Sequence, residues 1–116
     1  MRPTILVIEP RHEVAVALED VLESANYGVM VKPHIERLDD LAIEPAAIIV
    51  RVAFEGSVPA HRAIERLQQP RPPVVAIACD DEEVAEAERM KCDAVVRAPK
   101  DVGQLCEVLR RVLQQV

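Results

Sequence analysis

Three residues with reactive or charged side chains each stand at the end of an apolar run. Glu9 follows residues 4–8, Arg51 ends the run that begins at Ala46, and Cys79 follows residues 74–78. Short aliphatic runs rich in β-branched residues indicate strands buried on both faces, which are typical of parallel sheets. Open α/β sheets bind ligands outside the carboxyl ends of such strands. We therefore expect a carboxylate, a guanidinium and a thiol at one edge of a sheet.

Arg51 is the unusual member of this set, because a full positive charge at the end of a buried strand needs a partner or solvent. One interpretation is an ion pair with Glu9 across neighbouring strand ends, since half-buried arginines usually find a carboxylate. The other is an arginine that buries its stem and holds its guanidinium in water. The substitution Glu9→Ala is expected to cost about 3–5 kcal/mol for a well-buried pair, and much less for an exposed one.

The rest of the chain alternates strands with helices five times. Strands are predicted at residues 4–8, 29–31, 46–52, 74–78 and 93–97, and helices at 14–25, 35–42, 60–67, 80–91 and from about 101 onward. The first helix is expected to bury Val14, Leu18, Val21, Leu22 and Ala25, which share one helical face. Alternation with short connections predicts a single domain, residues 1–116, in which helices cover both sides of a parallel sheet.

Composition excludes several classes of function. The chain is 50% hydrophobic but only 2% aromatic, so its core must be aliphatic. A net charge of −6 without a basic stripe argues against direct binding of nucleic acid. The chain has neither an apolar run of membrane-spanning length nor a signal-peptide pattern, so a cytoplasmic location away from membranes is expected.

The remaining candidate ligands and nucleophiles form no recognisable site. The histidines, expected at the surface, are scattered, and the cysteines lack CxxC spacing and are expected as reduced core or half-core thiols: His12, His34, His61, Cys79, Cys92 and Cys106. The acidic run at 80–83 is interpreted as a helix start rather than a metal site. No glycine-rich phosphate loop and no nucleophile–base pair is present, so the chain is not expected to be an enzyme.

The order and spacing of these elements resemble the receiver domains of response regulators (CheY-like) over essentially the whole chain. Residues 5–10 are similar to the first receiver strand, which ends in paired acids that hold Mg²⁺. Residues 45–56 are similar to the third strand, which carries the phosphorylated aspartate, and Ala98–Pro99 resembles the Lys-Pro step after the fifth. The resemblance implies a flavodoxin-like (βα)5 three-layer sandwich with parallel strands in the order 2-1-3-4-5. It also implies a cis bond before Pro99.

The residues that carry receiver chemistry are replaced in this chain. Glu9 keeps the first acid, but Pro10 replaces the second, and Arg51 replaces the phosphoacceptor aspartate. The other departures are Ala78 for Thr or Ser, Val95 for Tyr or Phe and Ala98 for Lys, whereas Pro99 is retained. A guanidinium cannot accept a phosphoryl group, and one glutamate beside an arginine does not supply the oxygen ligands that Mg²⁺ needs. These departures predict a degenerate receiver, or pseudo-receiver, without phosphorylation or Mg²⁺ binding.

The predicted function is a signalling module of a two-component or phosphorelay pathway that acts through protein partners. In receivers, the fourth helix, fifth strand and fifth helix form a surface for homodimers or partners. In this chain that surface would contain Glu83, Glu86, Arg97, Lys100, Glu107, Arg110 and Arg111. The chain could stand alone or be the N-terminal part of a longer protein with an output domain.

The alternative function is a small domain for anionic ligands, or a residual enzyme, at the same sheet edge. Its residues would be Glu9, Arg51, Phe54, Cys79 and Arg97. The surroundings of Arg51 distinguish the two hypotheses. A closed contact between Glu9 and Arg51 favours the silent signalling module, whereas an open pocket with an anion favours the ligand-binding domain.

Overall fold

The computed structural model describes residues 2–9, 11–32, 44–52, 72–89, 91–98 and 102–114. The strands in these ranges are β1 (Thr4–Ile8), β2 (Gly28–Lys32), β3 (Ala47–Arg51), β4 (Val74–Ala78) and β5 (Ala94–Arg97). The helices are α1 (His12–Ser24), α2 (Asp81–Arg89) and α3 (Leu105–Gln114), and a 3-10 turn at Val102–Gln104 leads into α3. The helices predicted at 35–42 and 60–67 and the bond before Pro99 lie outside the described residues.

The strands form one parallel sheet in the order β2-β1-β3-β4-β5, which confirms the predicted topology. The first four residues of β3 are buried and Arg51 is partly exposed, as expected for a central strand that ends at the sheet edge. Ile8 of β1 is the register partner of Val50. Glu9 and Arg51, which follow these two residues, therefore lie at neighbouring strand ends.

Side chains that alternate along the strands divide an aliphatic core between the two faces of the sheet. On one face, Leu22 of α1 and Leu109 of α3 pack in the same cluster as Val7. On the other face, Ala87 of α2 packs in a cluster with Ile8. The helices thus cover both faces, and the sheet holds its strand ends between two apolar layers.

Helix α1 buries a narrower face than its apolar pattern predicts. Ala15, Leu18 and Leu22 are buried, whereas Val21 is 41% exposed. Ala25, also predicted to be in the core, is an exposed residue at the helix end. Only one stripe of α1 is buried against the sheet, so apolar residues beside that stripe remain accessible. No helix in the described ranges is long and apolar enough to cross a membrane.

The neighbouring residues Leu22 and Val21 give a matched test of this packing. We expect Leu22→Ala to lower the free energy of unfolding by about 2–5 kcal/mol, because it leaves a cavity in a fully buried site. Val21→Ala should cost less than about 1 kcal/mol. Urea denaturation of both variants checks this, and equal losses would show that α1 packs through the wider face.

Candidate functional site

Glu9 is a buried carboxylate at the carboxyl end of β1. Its side chain is only 1% exposed, and its N–H donates to the carbonyl oxygen of Lys32 at 3.1 Å, which extends the strand pairing by one residue. Oε1 accepts a hydrogen bond from the N–H of Arg11 at 3.0 Å. Oε2 accepts none from the described part of the chain. Because burial of an anion is costly without compensation, this carboxylate depends on nearby positive charge.

Arg51 supplies positive charge beside this carboxylate. Its Nη1 lies 3.8 Å from Glu9 Oε1, which is an ion-pair distance but too long for a hydrogen bond. The Arg51 side chain is 18% exposed, so its guanidinium lies at the boundary between the core and solvent. Of the two arrangements considered for Arg51, the structure has the paired one.

The same guanidinium also contacts Cys79. Arg51 Nη2 donates to Cys79 Sγ at 3.5 Å, and the thiol is exposed. The expectation that Cys79 is a core or half-core residue is wrong, because β4 ends at Ala78 and Cys79 lies in the turn beyond it. The half-buried positions of Cys92 and Cys106 agree with that expectation. Arg51 thus bridges residues that follow β1 and β4.

The contact between Arg51 and Cys79 was not expected from the sequence, although strand alternation contains a signal for it. Arg51 is the register partner of Ile77, and Cys79 follows Ile77 by two residues. Side chains two residues apart in a strand point to the same side of a sheet. The register between β3 and β4 would therefore have placed the guanidinium and the thiol on one side.

Acidic side chains fix the turn that carries Cys79. The N–H of Glu83 donates to Asp80 Oδ1 at 2.8 Å, and the N–H of Cys79 donates to Glu83 Oε1 at 3.1 Å. This reciprocal arrangement is a variant of the capping box and satisfies amides at the start of α2. The acidic run therefore begins a helix, as predicted. Within the described ranges, no group of three or more His, Cys, Asp or Glu residues is arranged to hold a metal ion.

Two further positions singled out at this edge, Ala78 and Ala98, carry methyl groups. Ala78 is buried at the end of β4, and its carbonyl oxygen accepts a hydrogen bond from the N–H of Ala98 at 2.8 Å. Neither alanine side chain can supply a hydroxyl or an ammonium group to the site. Pro10, Phe54 and Pro99 lie outside the described residues.

Three residues of the expected partner surface interact within the chain. Arg97 Nη1 lies 2.7 Å from Asp81 Oδ1, Glu86 pairs with Arg89 on its own helix, and Glu83 caps the turn before α2. On α3, Glu107, Arg110 and Arg111 are exposed, whereas Lys100 lies outside the described residues. Arg97 and its partner Asp81 remain solvent-exposed, so accessible charge in the described part of this surface lies on α2 and β5 as well as on α3.

Solved structures of response regulators share this fold. A response regulator receiver protein from Burkholderia phymatum has a TM-score of 0.79 and 22% identity, over 97% of this chain and 96% of that one. A response regulator from Thermotoga maritima has a TM-score of 0.78 and 17% identity, over 98% of this chain and 99% of that one. The chemotaxis response regulator CheY4 of Vibrio cholerae has a TM-score of 0.77 and 13% identity, over 97% of this chain and 99% of that one.

No protein-family model and no curated protein sequence matches the chain. The structural likeness nevertheless covers nearly the full length of both partners in each comparison. The chain therefore has the flavodoxin-like fold of response-regulator receiver domains.

The ion pair at the sheet edge should contribute measurably to stability. We expect Arg51→Gln to lower the free energy of unfolding by about 2–4 kcal/mol, because it leaves the Glu9 carboxylate buried beside a neutral group. This is slightly below the range for fully buried pairs, since Arg51 is partly exposed. A double-mutant cycle with Glu9→Gln should give a coupling energy of about 1–3 kcal/mol in urea denaturation.

Arg97 provides the control for this cycle, because it pairs with Asp81 and not with Glu9. A cycle between Glu9→Gln and Arg97→Gln should give coupling close to zero. Coupling below about 0.5 kcal/mol between Glu9 and Arg51 would mean that the two side chains act independently in solution.

Proposed function

We propose that this chain is a pseudo-receiver, a signalling module of the two-component type that does not accept a phosphoryl group. The receiver fold supports the class of protein. The observation that carries the finer proposal is the position of Arg51, whose guanidinium lies at the end of β3 beside the buried Glu9 carboxylate. By resemblance, this is the strand end at which receivers carry their phosphorylated aspartate.

The chemistry of the site supports the absence of phosphorylation. Transfer of a phosphoryl group to a side chain needs a nucleophile and a cation that neutralises developing negative charge. Arg51 provides no nucleophile, and its charge lies 3.8 Å from Glu9 Oε1, where it would repel a divalent cation that sought this carboxylate. The methyl groups of Ala78 and Ala98 supply no further ligand or counter-charge.

A built-in ion pair would also alter how the module signals. In receivers, a metal ion and a lysine bring positive charge to this site. In the proposed pseudo-receiver, the Arg51 side chain supplies that charge instead. The edge would then hold one charge state at all times, and the domain would act by contact with partner proteins. The proposed module would then be regulated by the abundance of a partner protein or by a chemical change elsewhere in the chain.

The surface formed by α2, β5 and α3 is the proposed contact region, and a symmetric pair of chains is the partner that it fits best. Glu107 and the adjacent Arg110 and Arg111 place opposite charges on the exposed side of α3. A two-fold interface brings the same patch from each chain together, so a patch with both signs can be complementary to itself. The alternative of an anionic-ligand site has less support, because Arg51 already contacts Glu9 and Cys79.

A phosphodonor assay tests the chemical part of this proposal. The purified chain is incubated with acetyl phosphate and Mg²⁺, and its intact mass is measured alongside a receiver that has a complete acidic site. We expect the control receiver to gain one phosphoryl group and this chain to gain none. A stoichiometric mass increase that maps to this chain would overturn the proposal.

Sedimentation tests the proposed symmetric contact. If chains pair through α3, the double charge reversal Arg110→Glu and Arg111→Glu should weaken self-association by about tenfold or more, because like charges then face each other. Glu23→Arg, a reversal at an exposed residue of α1, should leave association unchanged. A wild-type chain that stays monomeric at all accessible concentrations would contradict this contact.

A further inference from the structure

The outer edge of β2 offers backbone groups with which no strand of the described chain pairs. β2 stands first in the strand order, so β1 lies on one side of it and no described strand lies on the other. Its residues from Gly28 to Val31 are half-buried, and Lys32 is exposed. A free edge of this kind is a template for pairing with another chain unless the sequence protects it.

The hydrogen bonds to β1 show which groups of β2 face outward. The first residue of β2, Gly28, donates its N–H to the carbonyl oxygen of Pro3 at 2.8 Å. The last residue, Lys32, accepts at its carbonyl oxygen from the N–H of Glu9 at 3.1 Å. In a parallel ladder, alternate residues of a strand bond to the same neighbour. The first, third and last residues of β2 therefore face β1, and the second and fourth face outward.

The outward-facing residues are Val29 and Val31, and their spacing fits an antiparallel partner. In an antiparallel ladder, a hydrogen-bonded pair exchanges both N–H···O bonds, and such pairs alternate with non-bonded pairs. A two-fold axis beside Met30 would place Val29 opposite Val31 of the partner subunit, and the reverse. All the outward N–H and C=O groups of both strands are then paired.

The neighbouring two-fold registers of this strand leave groups unpaired. An axis beside Val29 would need Tyr27 as a bonding residue, but its N–H already donates to the carbonyl oxygen of Leu22 at 3.1 Å. An axis beside Val31 would need Pro33, which has no N–H. Among these registers, the edge is therefore complementary to itself when the axis lies beside Met30.

The side chains of β2 also suit this register. Met30 packs with the core cluster on one face of the sheet, and Val29 and Val31 pack with the cluster on the other face. The two methionines would therefore meet on one face and the valines on the other, so both apolar layers continue across the contact. Lys32 would lie opposite Gly28 of the partner subunit, so the two lysines do not face each other.

The other edge of the sheet has protection that β2 lacks. β5 has four residues, and the charged side chains of Asp93, just before it, and Arg97, its last residue, are on exposed positions. Short edge strands and charged residues are among the devices that block pairing with further strands. Between Gly28 and Val31, β2 has neither a charged residue nor a proline.

We propose that the β2 edge binds a second copy of this chain, in an antiparallel pair with its two-fold axis beside Met30. The pair joins the two sheets into one continuous sheet. A contact five residues long is expected to bury less than the roughly 1,200 Å² of a stable interface, so the pair is transient. β2 and β5 lie at opposite ends of the sheet, so this contact is separate from the one proposed for α3 and does not depend on the signalling function.

Disulfide trapping tests both the contact and its register. Met30→Cys is prepared in a chain with Cys79→Ser, which removes the exposed thiol, and Cys79→Ser alone gives the background. The variants are oxidised at several protein concentrations, and the products are separated by non-reducing electrophoresis. Opposite residues of a non-bonded pair have Cα atoms about 4.5 Å apart, within reach of a disulfide. We therefore expect Met30→Cys to form a covalent dimer.

Val29→Cys is the matched control on the same strand. In the proposed register, the two copies of residue 29 are offset by two residues along the ladder, which places their Cα atoms roughly 8 Å apart, too far for a disulfide. This variant should give about tenfold less dimer than Met30→Cys. Equal yields from the two variants would indicate random collisions and overturn the proposal, as would the absence of a Met30→Cys dimer.

Two further substitutions, each added to Met30→Cys, separate this contact from others. Val31→Pro removes an outward N–H and leaves the residues that bond to β1 in place, so it should lower the dimer yield by about tenfold with an unchanged circular dichroism spectrum. A folded Val31→Pro variant with undiminished yield would refute the register. If this variant does not fold, the comparison of Met30→Cys with Val29→Cys decides alone.

The double reversal Arg110→Glu and Arg111→Glu distinguishes the two proposed contacts between chains. It should leave the Met30→Cys yield unchanged, because α3 does not take part in the β2 pair. Loss of the covalent dimer in this variant would assign the association to α3 and overturn the β2 contact. Loss in the folded Val31→Pro variant alone would support the β2 contact.

Discussion

The burial of the Glu9 carboxylate is the constraint on which the sheet edge depends. The Glu9 side chain is only 1% exposed, so its charge must be compensated by its surroundings. The neighbouring strand end places the Arg51 guanidinium beside it. Arg51 in turn lies close enough to the residue after β4 to contact Cys79. Through its contacts with Glu9 and Cys79, Arg51 thus links the residues that follow β1 and β4. This arrangement differs from the acidic edge that the resemblance to receivers implies.

The parallel sheet makes this arrangement possible because it presents all its carboxyl ends on one side. The two apolar layers fix the strands, and the capping contacts of Asp80 and Glu83 fix the turn after β4. The polar groups of the site therefore follow strands that are packed between two apolar layers.

Much of this architecture could be predicted from sequence, for physical reasons. Runs such as 74–78 are apolar at every position because they are buried on both faces, so β4 begins and ends where the run does. Helix patterns are less restrictive: Val21 is apolar but exposed, since apolar residues are also tolerated beside the buried stripe. The pairing of Glu9 with Arg51 was one of two interpretations, and the contact with Cys79 could not be foreseen without the register between β3 and β4.

The continuous apolar character of β3 has a consequence for how the chain chooses its fold. With Ala47 to Val50 buried on both faces, a shift of β3 by one residue along β1 would still place apolar side chains in both layers. Hydrophobicity alone therefore specifies the alignment of this strand poorly. The buried charge that follows β1 favours the observed alignment, because this alignment places Arg51 beside it. The pairing of Glu9 with Arg51 thus contributes to the register of the central strand, and this contribution needs no ligand.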